Sequence, residues 1–99
     1  MQLKPGVRSF GARPELVLAL VIANEVYAMH GQSMVVTSMT EGVHSRASLH
    51  YTGSAADLRL TPQAPEICGV LRERLGDDFD VVLEADHIHL EFQPKTGRW

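Results

Sequence analysis

Ninety-nine residues make room for one domain and argue against two. A hydrophobic share of 44% and a charged share of 21% are ordinary globular usage, so disorder is not expected, although a core this small gains from a bound metal. Nine basic against twelve acidic residues give a net charge of −3 with no charged block, which weakens nucleic-acid and anionic-membrane readings, and the single Cys68 excludes a disulfide framework and Cys-rich zinc modules.

Residues 1–12, with Pro5-Gly6 and Gly11 as breakers, read as an irregular lead-in. Pro14 suits the first turn of a helix and Glu15 its positive end. Leu16, Leu20, Ala23 and Tyr27, with Ala19 and Val26 alongside, recur at helical steps, and Gly31 supplies a stop after about Met29. The apolar run Leu16 to Ala23 has the size of a signal-peptide core, with Lys4, Arg8 and Arg13 upstream. Its pattern continues past the run, which favours a buried mature helix over a cleaved leader, and it falls well short of the ~20 residues of a membrane span.

Met34 to Ser38 is β-branched enough for a strand. Met39 to Gly53 reads as a long ordered loop, a length that points to function. Ser54 to Leu60 forms a second strand, and Pro65 opens a helix over roughly 66–75 that Gly76 closes. Phe79 to Leu83 and His87 to Phe92 are strands joined by a tight turn at Ala85-Asp86, the last with His87, His89 and Glu91 on one face and Ile88, Leu90 and Phe92 on the other. The order predicts a small α+β domain, helices packed on one face of a mostly antiparallel sheet.

Asp57 lies in an otherwise apolar strand, where a carboxylate is costly without a partner, and a metal ion is one such partner. His50 precedes it by seven positions, and Glu84 and His87 stand at the two ends of the turn. Two histidines, an aspartate and a free glutamate are the inventory of a catalytic zinc site, three ligands leaving the fourth position to water. Each residue also has a plainer reading. His50 can be a loop histidine, Asp57 can pair with Arg59 or Arg46 or cap a turn, and the His87/His89/Glu91 face can be the solvated side of an edge hairpin. Cys68 and the Met29, Met34 and Met39 series read as core filling, and His30 as a favourable charge at a helix C-terminus.

Ser48 to Asp57 (SLHYTGSAAD) fits S-x-H-x-x-G-x-A-x-D, and Glu84 to His89 (EADHIH) fits E-x-x-H-x-H. In this order the two motifs resemble the zinc D-Ala-D-Ala carboxypeptidase and dipeptidase family, which includes bacteriophage L-alanyl-D-glutamate endolysins and shares its fold with the zinc domain of hedgehog proteins. The likeness covers about residues 35–93. It implies one zinc per chain on His50, Asp57 and His87, Glu84 as general acid/base, and His89 close to the metal as a substrate or outer contact. Ser48 is placed to hold the loop before the first ligand. Many relatives carry a Gly-Tyr-Arg-Ser segment whose arginine binds substrate or oxyanion. Here Ser38 to Gly42 has no arginine, and Arg46 is the nearest replacement, with a solvated loop cation as the equal alternative.

The resemblance therefore implies a zinc metallopeptidase acting on peptidoglycan stem peptides, as a D,D-carboxypeptidase or an L-Ala-D-Glu endopeptidase. A non-catalytic zinc-binding module of the same fold is the alternative. A monomer with no nucleic-acid partner is expected, made in the cytoplasm and acting on the cell wall after release, as a phage lysin does.

Overall fold

The computed structural model describes residues 1–7, 14–40 and 54–93. Its elements are β1 (Gln2–Leu3), α1 (Pro14–Met29), β2 (Val35–Thr40), β3 (Ser54–Arg59), α2 (Ala64–Leu75), β4 (Phe79–Leu83) and β5 (His87–Phe92). Both helices and the last four strands stand where the sequence pattern puts them, within a few residues at their ends. β1 is the addition. The expected irregular lead-in contains two residues that pair in parallel with β2, Gln2 opposite Val35 and Leu3 opposite Val36. Two residues are too few to show an alternation, so this strand leaves no periodic trace.

The helix ends follow local chemistry. Gly31, at φ 70°, lets the chain turn left-handed after α1. The Gly31 N–H then bonds Ala28 O at 2.9 Å and the Gln32 N–H bonds Tyr27 O at 2.9 Å, the paired bonds of a Schellman stop. Pro65 opens α2 in its first turn, and Gly76, at φ 79°, ends it with its N–H on Arg72 O at 3.3 Å.

The sheet runs β1-β2-β3-β5-β4, with every pair after the first antiparallel. β5 lies between β3 and β4, so α2 crosses over a strand inserted later in the chain. Leu16, Ala19, Leu20, Ala23, Val26 and Tyr27 of α1 are buried, together with Ile67, Cys68 and Leu71 of α2. They share one core with Val36, Ala56, Leu58, Val81, Ile88 and Leu90. Because strand side chains alternate, these residues mark a single face of the sheet, and both helices cover it. Met34 belongs to the core, whereas Met29 is 67% exposed, contrary to its expected core role, because it sits in the last turn of α1 beyond the packed stripe. No helix among the described residues is long and apolar enough to cross a membrane.

Candidate metal centre

The face of the sheet away from the helices carries the polar residues. In β3, Ala56 and Leu58 are fully buried, which turns Ala55, Asp57 and Arg59 outward. In β5, Ile88, Leu90 and Phe92 turn inward, leaving His87, His89 and Glu91 outside. The antiparallel register then sets Asp57 directly opposite His89 and Arg59 opposite His87. Cross-strand neighbours of this kind have Cβ atoms about 5 Å apart, so backbone pairing alone brings the carboxylate and the imidazoles together.

Asp57 Oδ1 lies 3.0 Å from His89 Nδ1 and 3.5 Å from His87 Nε2. One ligating atom from each of the three residues lies within 4.8 Å of the others, and together they could hold a metal ion. A tetrahedral ion with bonds of ~2.0–2.1 Å sets its ligand atoms roughly 3.3 Å apart, so the two carboxylate–imidazole separations match without rearrangement. The three side chains are 28–31% exposed, sunk into the face yet open to a ligand.

Every member is held from behind. Asp86 Oδ1 accepts a hydrogen bond from His87 Nδ1 at 2.6 Å, which leaves Nε2 for the centre. Glu91 Oε1 does the same for His89 Nε2 at 3.0 Å, leaving Nδ1, and Gln93 Nε2 donates to the other Glu91 oxygen at 3.1 Å. Ser38 Oγ donates to Asp57 Oδ2 at 3.1 Å, which leaves Oδ1 facing the imidazoles. A carboxylate behind a ligating imidazole fixes its tautomer and raises its basicity, the usual outer arrangement of metal-binding histidines. Burial pulls the His89 pKa down, but the hydrogen bonds and charges of Glu91 and Asp57 outweigh it and raise the value above the ordinary one. Without a metal, both His89 nitrogens face carboxylate oxygens, an arrangement that suits the imidazolium.

Of the residues expected from sequence, the structure unites Asp57 with His87 and brings His89 in as a third donor. Arg46, Ser48 and His50 lie outside the described residues. Glu84 is exposed; its N–H donates to His87 O at 2.8 Å and closes the hairpin, which places it across the turn from His87. Ser38, Asp86 and Glu91 are the supporting residues that motif reading did not assign. Glu91 was visible as a member of the histidine face, and Asp86 as the neighbour of His87. Ser38 carried no signal, because it reaches Asp57 through a register shift between Val36 and Ser38. Comparison with known proteins finds no significant match to any family model, any curated protein or any solved structure.

Proposed function

We propose that the chain is a zinc-dependent metallopeptidase of the D-Ala-D-Ala carboxypeptidase and endolysin type, acting on peptidoglycan stem peptides. The observation that supports it best is the convergence of Asp57, from the first motif, with His87 and His89, from the second, each backed by its own hydrogen-bond partner. Two imidazoles and one carboxylate are a donor set of the catalytic zinc type. Zinc bound there supplies Lewis acidity, acidifying water and polarising the scissile carbonyl.

The chain's own residues do the rest. Glu84, across the turn from His87, takes the proton of the attacking water and passes it to the departing amine. Asp86 and Glu91 fix the ring orientations, each accepting the N–H of the nitrogen it faces so that the other nitrogen points to the metal position. Asp57, His87 and His89 already number three donors, and His50 would be a fourth. An open position for water requires one histidine to stay off the metal.

Elemental analysis of wild type and of His50→Ala, His87→Ala, His89→Ala and Glu84→Ala, with hydrolysis of purified peptidoglycan on the same samples, tests this reading. About one zinc in wild type is expected, lost in two of the three histidine variants. Glu84→Ala should keep zinc and lose cleavage by several orders of magnitude. Near-normal cleavage by Glu84→Ala defeats the mechanism. Zinc without cleavage of any wall peptide leaves the non-catalytic module, which the absence of an arginine from Ser38 to Gly42 favours.

A further inference from the structure

α1 has two apolar faces, and the core occupies one of them. The buried stripe from Leu16 to Tyr27 packs into the core. On the opposite side Pro14, Leu18, Val21, Glu25 and Ala28 are all exposed, Leu18 by 64% and Val21 by 54%. These five recur at alternating steps of four and three, the spacing of a coiled-coil seam. Exposed Val17 and Met29 flank them. A helix that is apolar nearly all round is ordinarily covered all round.

A groove runs along each side of this seam. Met1, Leu3 and Met39 form one with Val17 and Leu20, about 360 Å³ in volume. Arg74, Leu75 and Phe79 form the other with Glu15, Leu18 and Ile22, about 190 Å³. The seam is thus a ridge between two mainly apolar grooves, the relief into which a second helix packs.

We propose that this face pairs with the same face of a second copy of the chain, the two α1 helices antiparallel about Val21. The pair departs from the monomer expected of the sequence, and it does not depend on the reading of the metal centre. The make-up of the seam selects a second copy as the occupant. With Val21 on the two-fold axis, Pro14 of one copy meets Ala28 of the other, and Leu18 falls beside the other copy's Glu25. Glu25 is the one charged member of the seam, and Arg74 of its own chain holds it at 2.8 Å. Two copies therefore meet without an unpaired like charge. Antiparallel packing also sets the positive N-terminal end of each helix beside the negative C-terminal end of the other.

The size of the face fits a reversible pair. α1 has 16 residues and a length of about 24 Å. A footprint of that length, about 20 Å across with its grooves, covers roughly 500 Å² per copy and about 1,000 Å² in total, the size of weak, transient interfaces. Because the metal cluster lies on the other face of the sheet, the pair leaves both centres uncovered and facing away from each other.

Sedimentation equilibrium of the full chain over roughly 1–500 µM tests the pair. The average mass should rise from one chain to two, with a dissociation constant on the order of 10–100 µM. Leu18→Lys puts a charge into the seam and should weaken association by about tenfold or more. Its circular dichroism should match wild type, since Leu18 is exposed in the single chain. Asp57→Ala should associate as wild type does. On oxidation Val21→Cys should form a disulfide between copies, through its place on the axis, whereas Glu66→Cys on the exposed side of α2 should not. A mass that stays at one chain across the range overturns the proposal. So does a dimer that persists in Leu18→Lys, requires Asp57, or cross-links no better at position 21 than at position 66, since each places the contact on another surface.

Discussion

Asp57 is the residue on which the site turns, because a lone carboxylate between two buried strand residues costs free energy unless its charge is met. Ser38 meets one oxygen and the two histidines meet the other. The outer carboxylates Asp86 and Glu91 are as important to metal affinity as their position behind the ligands implies. Asp86→Asn and Glu91→Gln should each weaken zinc binding by roughly 10–100-fold in chelator competition, with little change in fold. Unaltered affinity in both would mean that the imidazoles orient themselves. Much of this was legible in the alternation of β5, which puts His87, His89 and Glu91 on one face whatever their neighbours. Which histidine stands opposite Asp57 was not legible. A slip of two residues preserves the face and exchanges His87 for His89, so periodicity fixes the side of the sheet and leaves the register open.

At the scale of elements, α1 was readable because its six buried residues recur at helical steps and its end carries a glycine stop. β1 was not, since its two residues take their meaning from a partner more than thirty positions away, beyond a whole helix. One contact ties α1 to the functional face. The Tyr27 hydroxyl, fully buried, donates to Arg59 O at 3.2 Å, two residues beyond Asp57. Burial pushes the Tyr27 pKa up to about 12, with the nearby Cys68 thiol adding to the rise. The folded value therefore exceeds the unfolded one of about 10, and the folded chain holds the proton longer. The stabilisation is complete below pH ~10 and is lost as pH rises through the folded value. Tyr27→Phe should cost about 1 kcal/mol at neutral pH through the missing hydrogen bond, yet show a shallower loss of stability above pH ~10 in urea titrations. Parallel alkaline curves for the two proteins would place the titrating group elsewhere.

For the molecule as a whole, the two faces of the sheet are held by different forces. Helices and apolar side chains cover one, while the other depends on polar contacts that link β2 through Ser38, β3 through Asp57 and β5 through both histidines. A chain of 99 residues buries a modest fraction of its surface, so a metal joining β3 to β5 acts on a stability that is small to begin with. Mass action sets the size of the effect: free zinc at a hundred times its dissociation constant adds about 2.7 kcal/mol if the unfolded chain binds none. In a domain this small each kcal/mol moves Tm by about 4–8 °C, giving a shift on the order of 10–20 °C. The unfolded chain offers five histidines and a cysteine, which reduces the gain without abolishing it, because those donors are not gathered in one place. Thermal unfolding across a zinc series should show Tm rising with the logarithm of free zinc in wild type and staying flat in Asp57→Ala. A flat wild-type series would remove the folded centre as a zinc site, whereas equal slopes in both proteins would assign the metal to donors other than Asp57.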